Sequence, residues 1–483
     1  MSSEIYELKK EQYRAALAET PFPDRFPKGK PITETMALAD GSAGVVTAGR
    51  VVSLRNMGKA LFAHVFDATG TVQVYVRRTP ENPELFDGFI ARVAIGDFIG
   101  VEGEMFTTRT GEKTINVQKF ALLNKCLLTL PEKFHGIENV ETRYRKRYLD
   151  VIMNPDTRDV FFKRVQIIRT MRRFLEDHGF MEVETPILQT NPSGALARPF
   201  HTHHNALDLA CTLRIAPETW LKRLIGAGFD RVYEFAKCFR NEGISAAHLQ
   251  EFTMLEFYAA YWNWDDQRQF CAAMTRHVIE NVFGKSQVTV RGHHVDFGGE
   301  WPVFTIAELI QQDTGLDIMA LTTKADLLRE IKAKKLRVDD AEKLSWANLV
   351  DAIYKEYSRP KLIQPCFVTK YPAEMAPLAR KNPEDPRFVD LFQLVVTGIE
   401  LIKAYSELVD PLDQRDRLEA QALARAEGDD EAMPMDEDFL TAMEHGFPPV
   451  AGVGIGIDRL VTVLCEKDNI KESVFFPLMK PES

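Results

Sequence analysis

The sequence predicts an α+β protein that contains a small N-terminal β-barrel and a larger domain in which helices flank an antiparallel-rich sheet. Two patterns support this expectation. Residues 44–130 contain short alternating apolar runs separated by glycines, which is typical of a barrel of about five strands. From residue 156 onward, strand-like and helical segments follow one another in mixed order, unlike regular βαβ repeats.

The other segments are assigned from the same kinds of pattern. Residues 4–18 carry spaced apolar side chains among charges, so we expect an amphipathic helix within an N-terminal helical extension, 1–43, which prolines then end. A connector over 131–155 leads to a long helix over 156–179, at the start of a large domain that spans 156–483. Strand-like segments of this domain are 207–215, 232–239, 252–261, 391–401 and 450–457, and a mostly helical insertion is expected around 304–357.

Composition excludes several classes of protein. The chain has 483 residues, 45% of them hydrophobic, which suits two or three domains with sizeable cores. Its apolar runs are much shorter than the roughly 18 to 20 residues of a transmembrane helix. The charged N-terminus does not resemble a secretory signal, so we expect a soluble cytoplasmic protein. Six scattered cysteines without a Cys-x-x-Cys pair predict neither zinc nor disulfides.

Charge is distributed unevenly along the chain, whose formal net charge is -10. Residues 1–150 contain 21 Lys and Arg against 19 Asp and Glu, a net of +2, and the remainder therefore carries -12. A nucleic-acid contact is accordingly more natural on the N-terminal part. Ordinary compositional scatter is the alternative explanation.

An arginine at the end of a predicted strand is the first candidate functional residue. The stretch 231–256 is expected to form strand, loop and strand, with Arg240 where the first strand ends. A guanidinium there can meet a phosphate with two parallel hydrogen bonds, which a lysine cannot match. The alternative is that Arg240 pairs with Glu242 on a surface hairpin.

A glycine-rich strand near the C-terminus is the second candidate. Three glycines alternate over 452–456, so one face of this strand lacks side chains and a flat ring can lie against it. Arg459 opens the following helix, where its guanidinium can stack on such a ring. Close packing of a helix on the strand explains the glycines equally well, and the order of residues does not fit a dinucleotide fold.

Together these segments resemble the three signature motifs of class II aminoacyl-tRNA synthetases, and more narrowly the lysyl-tRNA synthetase family. The signature segments are Val-Glu-Thr-Pro at 183–186, Phe-Arg-Asn-Glu-Gly at 239–243, Glu-Phe-Thr-Met-Leu-Glu at 251–256 and Gly-Ile-Gly-Ile-Asp-Arg at 454–459. Segments that resemble the narrower family lie at 57–60, 143–150, 197–207, 213–218 and 405–408. The resemblance therefore covers nearly the whole chain and includes a class II catalytic domain.

This resemblance implies a lysine–tRNA ligase, which joins L-lysine to ATP as lysyl-adenylate and then transfers it to tRNA(Lys). Arg240 would hold the α-phosphate and the lysine carboxylate, while Phe252 and Arg459 would enclose the adenine. Catalysis would then depend on positioning and on charge stabilisation by Arg240 and Mg²⁺. The implied ATP-binding residues are Arg240, Glu242, His248, Phe252, Glu400 and Arg459.

The resemblance also implies a pocket for the lysine substrate. Glu407 would bind the side-chain ammonium with Tyr258 beside it, and Gly194 and Glu218 would hold the α-amino group. A solvated strand carboxylate is the alternative for Glu407. The complete implied set is Gly194, Glu218, Arg240, Glu256, Tyr258, Lys403, Tyr405 and Glu407.

Several positions depart from the family pattern. Lys403 stands where the family usually has Asn, and alternation places it on the pocket face with Tyr405 and Glu407. Its ammonium can bind the substrate carboxylate, or it can pair with a pocket glutamate and compete with lysine. Gln393 replaces a second acidic metal ligand beside Glu400, so it would hold magnesium only weakly. In the loop of the second motif, Ala247 replaces an Arg and 249–250 replace Asn-Pro.

The N-terminal barrel resembles the oligonucleotide-binding fold, or OB-fold, with which this family reads the tRNA anticodon. By position, Arg55, Phe62, Gln73 and Glu112 match its base-contacting residues. A stacked aromatic ring is worth roughly 1 to 3 kcal/mol per base. A role in the barrel core is the alternative for Phe62. The helix that leads to Pro186 resembles the pairing motif of the class, so a homodimer is expected.

Three other functions remain open from the sequence. A ligase for aspartate or asparagine would need basic pocket groups, of which Lys403 is one. A paralogue that lysylates a translation factor would typically lack the barrel. A catalytically altered paralogue that acts as an RNA-binding or regulatory protein, or has shifted amino-acid specificity, is motivated by Lys403, Gln393 and Ala247.

Overall fold

The computed structural model describes residues 3–19, 21–128, 130, 137–426 and 432–482. It separates into two compact units, Met1–Gly136 and Ile137–Ser483. Part of the predicted connector, residues 131–136, lies outside the described residues. In the described part of the chain, no helix combines the length and the apolar character needed to span a membrane.

The first unit is a closed five-stranded barrel. Its elements in chain order are α1 (Ser3–Glu19), α2 (Ile32–Met36), β1 (Val45–Asn56), β2 (Ala60–Phe66), β3 (Thr71–Arg77), α3 (Pro83–Arg92), β4 (Phe98–Thr107) and β5 (Lys113–Asn124). The strand order is β1-β2-β3-β5-β4, and only the β3–β5 pair is parallel. Alternate residues such as Leu61, Ala63 and Val65 fill the interior, because successive side chains point to opposite faces of a strand. A bulge between Val51 and Ser53 interrupts the pairing of the long strand β1 with β2.

The second unit begins with helices and short strands and continues into a large sheet. Its first elements are α4 (Val140–Arg145), α5 (Arg147–Met153), α6 (Pro155–Asp177), β6 (Met181–Glu182), β7 (Leu188–Gln189), β8 (His201–His204), β9 (Leu209–Leu213), α7 (Glu218–Gly226), β10 (Arg231–Phe239), β11 (Glu251–Ala260) and α8 (Trp264–Phe283). They are followed by β12 (Gln287–Val290), β13 (His293–Asp296), β14 (Val303–Thr305), α9 (Ile306–Thr314), α10 (Lys324–Ala333), α11 (Trp346–Ile353), β15 (Cys366–Thr369), β16 (Leu391–Val396), β17 (Ile399–Ser406), α12 (Pro411–Ala426), α13 (Glu437–Glu444), β18 (Val450–Gly456) and α14 (Ile457–Leu464).

Eight strands form the main sheet, in the order β14-β15-β16-β17-β18-β11-β10-β6. Only its two outermost pairs, β14–β15 and β10–β6, are parallel. The predicted α+β architecture with an antiparallel-rich sheet is therefore confirmed. One sheet face packs on helices α6, α8 and α14, with Met171, Met274 and Val461 in the shared core. On the opposite face α7 packs against part of β10 and β11, and the part beside it, over β11, β17 and β18, is free to carry a site.

Two local features decide which side chains reach that free face. The predicted single strand over 391–401 was wrong, since Thr397 and Gly398 both have positive φ and turn the chain into the β16–β17 hairpin. A bulge follows directly, because Leu394 pairs with Ile402 while Val395 pairs with Glu400. The extra residue, Leu401, lies in the core. Glu400 and Lys403 can therefore both face the cleft, although strict alternation would separate them.

Candidate active site

A cleft of about 360 Å³ lies on the free face of the sheet, over β11, β17 and β18. Its size suits small-molecule substrates. It gathers predicted residues that are distant in the sequence, and those that line it are Gly194, Glu218, Arg240, Glu242, His248, Phe252, Glu256, Tyr258, Glu400, Lys403, Tyr405 and Arg459. Glu407 lies buried at one end, where its carboxylate faces the ring of Tyr258 across Gly452.

At one end of the cleft lies Arg240, whose Nε donates to Ile215 O at 3.4 Å. The residue follows β10, and its backbone amide donates to Gln250 O at 2.8 Å, which closes the loop between β10 and β11. The guanidinium lies 5.1 Å from the centre of the Phe252 ring. No carboxylate pairs with Arg240 among the described residues, so the structure does not show the surface ion pair with Glu242. This cation is available for an anionic ligand.

Arg459 is held at the same end by contacts that the sequence did not predict. Its Nη1 donates to Glu400 O at 3.1 Å. The preceding residue, Asp458, is buried, and it accepts from the Thr253 amide at 2.6 Å and pairs with Arg164 at 2.6 Å. Asp458 thereby ties the start of α14 to β11 and α6. We infer that the Asp of the Gly-Ile-Gly-Ile-Asp-Arg segment positions the Arg.

His248 lies beside these cations. Its Nδ1 lies 2.8 Å from Ser245 Oγ. Partial burial lowers the pKa of His248, and the neighbouring Arg459 lowers it further. A neutral imidazole keeps one ring nitrogen as a hydrogen-bond acceptor, which suits contact with a ligand hydroxyl or amine.

The glycine strand β18 forms the floor of the cleft. A Cβ at Gly452 would lie 2.2 Å from both Glu407 Oε1 and the Tyr258 ring, so only glycine fits there. At Gly454 the nearest atom to such a Cβ is Met254 Sδ at 3.6 Å, an ordinary contact distance, and a side chain there would extend into the cleft that Gly454 lines. The alternate glycines therefore serve the cleft, rather than only the packing of a helix on the strand.

The other end of the cleft is a closed acidic pocket. Glu218, Glu256 and Glu407 are all buried there, each at most 6% exposed. Tyr405 Oη donates to Glu218 Oε1 at 2.7 Å, and Tyr258 Oη donates to Glu256 Oε2 at 3.1 Å. Glu407 is therefore not a solvated strand carboxylate. Three buried carboxylates in one pocket favour a cationic ligand.

Burial changes the protonation of these groups. It raises the pKa of Glu256 to about 8, with a further contribution from Glu218. Burial also raises the pKa of Glu407 well above its usual range, while Lys222 opposes the increase and Glu218 adds to it. The acidic pocket therefore needs cations if all of its carboxylates are to be ionised at neutral pH.

Gly194 completes the pocket wall. Its φ of +91° lies in the region that favours glycine, and a Cβ would lie 3.1 Å from Glu218 Cβ and 3.3 Å from Ala216 Cβ. The chain thus approaches the start of α7 closely. A backbone carbonyl in this position is suited to receive an amino group together with Glu218.

Of the predicted base-contacting residues of the barrel, Arg55 and Glu112 are exposed, Phe62 is half-buried and Gln73 is buried. Arg55 and Phe62 are cross-strand neighbours on β1 and β2, and Gln73 Nε2 donates to Glu112 Oε2 at 2.7 Å. Phe62 is half-buried and lies 4.9 Å from the Tyr75 ring, so it is not in the barrel core. The sequence did not single out Tyr75 or His64, whose Nε2 lies 2.8 Å from Glu112 Oε1.

Comparisons with known proteins agree with this arrangement. Residues 139–480 match the family of class II tRNA synthetases (D, K and N), and residues 45–123 match the OB-fold nucleic acid binding domain. A lysine–tRNA ligase of Pelotomaculum thermopropionicum is 46% identical over 90% of this chain and 86% of its own length. That of Aquifex aeolicus is 46% identical over 91% of this chain and 73% of its own length, and one of Staphylococcus aureus is 43% identical over 92% and 90%.

The chain belongs to the lysine–tRNA ligase family. The resemblance to class II lysyl-tRNA synthetases, another name for this family, is thereby confirmed, as are the OB-fold and the class II catalytic domain. A catalytically altered paralogue is not favoured, because the similarity to named ligases covers about nine-tenths of the chain.

The departures from the family pattern differ in whether they line the cleft. Lys403 lies between Gln393 on β16 and Gly454 on β18 and lines the middle of the cleft. In the described part of the chain it pairs with no carboxylate, so it does not neutralise the acidic pocket. Gln393 does not line the cleft. Its Oε1 accepts a hydrogen bond from Tyr371 Oη at 2.6 Å.

This family normally uses magnesium with ATP, and the cleft offers one carboxylate that suits the ion. The described residues contain no group of three or more His, Cys, Asp or Glu side chains arranged to hold a metal ion. Glu400 nevertheless lines the cleft beside Arg459. Since Mg²⁺ is commonly held by one or two carboxylates together with substrate phosphates, Glu400 fits an ion that arrives with ATP.

Proposed function

We propose that this protein activates L-lysine with ATP and transfers it to tRNA(Lys). The observation that carries this proposal is the shared cleft. At one end is the guanidinium of Arg240, which pairs with no carboxylate among the described residues, and at the other are the buried carboxylates. A triphosphate and a diamino acid have the matching charges. The α-carboxylate of lysine would then lie beside the α-phosphate of ATP, in the middle of the cleft.

The first step needs little acid–base chemistry. An ionised lysine carboxylate attacks the α-phosphorus, a new O–P bond forms, and the bond to the β-phosphate oxygen breaks to release pyrophosphate. Arg240 would bind the oxygens on which negative charge develops, and Phe252 and Arg459 would enclose the adenine. Magnesium, held at Glu400, would neutralise phosphate charge. In the second step the terminal ribose hydroxyl of the tRNA attacks the activated carbonyl, and AMP leaves.

The acidic pocket would select the amino acid. Glu407 would receive the side-chain ammonium, and Glu218, Glu256 and the Gly194 carbonyl would surround the α-amino group. The aspartate and asparagine alternative is disfavoured, because the buried carboxylates would repel an acidic side chain and a neutral amide brings no positive charge to them. On the barrel, Phe62 and Tyr75 would stack anticodon bases, while Arg55, Gln73 and Glu112 would contact their edges.

Pyrophosphate exchange with each of the twenty amino acids, followed by charging of tRNA(Lys), tests the proposal. We expect ATP–pyrophosphate exchange only with lysine, and attachment of lysine to tRNA(Lys) but not to tRNA(Asp). Exchange with no amino acid would contradict the proposed activity, and exchange with aspartate or asparagine would contradict the assignment of the pocket.

We also propose the domain organisation, the assembly state and the location of the enzyme. An N-terminal extension (1–43), an anticodon-binding barrel (44–130), a connector (131–155) and a catalytic domain (156–483) form one chain that acts in the cytoplasm, where its tRNA substrate is used. A homodimer is supported by exposed apolar side chains on α6 and near β6 and β7, namely Phe162, Val165, Met181, Ile187 and Leu188. Sedimentation equilibrium at micromolar concentration should give twice the chain mass of 54.9 kDa.

A further inference from the structure

A buried ammonium group lies inside the acidic pocket. Lys222 follows Glu218 by four residues on α7, so both side chains lie on one helix face. Its Nζ lies 2.6 Å from Glu218 Oε1 and also against Glu407 Oε2. The residue is 1% exposed. Lys222 therefore bridges two carboxylates that belong to elements far apart in the sequence.

Aromatic rings hold this ammonium in place. Lys222 Nζ lies 5.7 Å from the centre of the Tyr405 ring and 5.9 Å from that of Phe439. These rings come from β17 and α13, so the ammonium is enclosed by separate elements. A lysine that is enclosed in this way cannot exchange its carboxylate partners for water.

The charged and titratable groups that face Glu407 come from three elements of the fold. From α7 these are Lys222 and Glu218, from β11 Glu256 and the Tyr258 phenol, and from β17 the Tyr405 phenol. Among these described groups Lys222 is the one cation. Burial opposes its charge, but Glu218 and Glu407 outweigh that effect and raise the pKa of Lys222. Burial raises the pKa of both phenols too, so they stay protonated.

We propose that Lys222 is a positioning residue that keeps Glu407 ionised and oriented toward the ammonium of the lysine substrate. This inference rests on the proposed function. Without Lys222, Glu407 would face only anions and phenols, and the contribution that opposes the increase in its pKa would be lost. A protonated carboxyl still forms hydrogen bonds, but it loses the charge that distinguishes an ammonium from a neutral group.

The same geometry would also allow Lys222 to compete with the substrate, and that role predicts the opposite effect on lysine binding. If Lys222 occupied the place of the substrate ammonium, its removal would leave a vacant, fully ionised site and would strengthen lysine binding. If Lys222 keeps Glu407 ionised, its removal must weaken lysine binding at neutral pH, and the defect must diminish as rising pH ionises Glu407.

The test is the pH dependence of KM for lysine in ATP–pyrophosphate exchange by Lys222→Met, from pH 6.5 to 8.5. We expect the ratio of variant to wild-type KM to be at least tenfold at pH 6.5 and to fall toward one at pH 8.5. The KM for ATP should stay within twofold. Lys237→Met, which removes an exposed lysine on β10, is the matched control and should leave both KM values unchanged.

A second variant separates charge from folding. Lys222→Arg keeps the cation. The ratio of its KM for lysine to that of the wild type should therefore not depend on pH, whatever the size of that ratio. A pH-dependent ratio in Lys222→Arg, a pH-independent ratio in Lys222→Met, or tighter lysine binding by Lys222→Met would overturn the inference. Absence of lysine-dependent exchange in the wild type would instead contradict the proposed function, since that assay does not involve the variants.

Discussion

The two ends of the cleft use charge in opposite ways. At the nucleotide end no carboxylate among the described residues pairs with Arg240, and Gly454 and Gly456 line the cleft without side chains. At the amino-acid end the carboxylates are buried, and Lys222 lies among them. Removal of a charge should therefore have different consequences at the two ends.

The contrast explains how one cleft can receive two substrates of opposite charge. An open cation binds an anion at little reorganisation cost, because no ion pair must first be broken. A closed pocket in which carboxylates outnumber the ammonium of Lys222 disfavours a ligand that brings no further positive charge. Lys403 lies between the two ends, where the lysine carboxylate and the α-phosphate would meet.

The largest effect is expected at the nucleotide end. Arg240→Lys retains a charge but loses the paired donors, so kcat/KM for exchange should fall about 10²- to 10³-fold, mostly in kcat. Steady-state kinetics of ATP–pyrophosphate exchange measure this decrease. Arg329→Lys, an exposed arginine of α10, is the control and should behave like wild type. An Arg240 variant with undiminished kcat would show that the phosphate is bound elsewhere.

At the amino-acid end, Glu407→Gln should act on lysine binding. Loss of one charge-assisted contact corresponds to roughly 1.5 to 3 kcal/mol, so KM for lysine should rise at least about tenfold while KM for ATP stays constant. The exposed Glu251→Gln on β11 is the matched control. Equal increases in both KM values would contradict the separation of the two ends.

A smaller effect is expected at the boundary between the ends. Lys403→Asn removes a half-buried cation, so kcat/KM should fall about three- to tenfold, the size of one partly solvated charge contact. The loss should decrease at high salt. Lys237→Asn serves as the control. Improved lysine use by Lys403→Asn would mean that Lys403 competes with the substrate.

The smallest effect concerns stability. Because the pKa of Glu256 is raised from 4.5 to about 8, the folded state binds a proton that the unfolded state has lost between these pH values. The contribution of Glu256 to the free energy of unfolding therefore falls as pH rises from 4.5 to 8. In calorimetry, Tm of Glu256→Gln should decline less than that of the wild type over this range. Identical slopes would argue against a buried, protonated Glu256.

Much of this organisation follows from local sequence patterns. The individual strands of the barrel, the turn at Arg240 and the glycine strand each depend on residues within about ten positions, which short-range periodicity and turn chemistry reveal. The Thr397–Gly398 turn also has a local signal, which the continuous apolar run over 391–401 obscured. The bulge at Leu401 has no such signal, because it depends on pairing with β16.

Contacts between distant segments were not predictable in this way. The four-residue spacing of Glu218 and Lys222 indicates a shared helix face, but nothing in the spacing shows that Glu407 closes the bridge. The same holds for Asp458 with Arg164, and for Tyr371 with Gln393. Such pairs require the assembled sheet, and they determine which of the predicted residues remain available to ligands.

The most direct test of the acidic pocket compares lysine with norleucine, which has the same carbon chain but lacks the side-chain ammonium group. A pocket built around buried carboxylates should reject norleucine, and pyrophosphate exchange by the wild type should favour lysine by at least about 10³-fold in kcat/KM. Comparable exchange with both amino acids would contradict the claim that Glu407 and its neighbours select a cationic substrate.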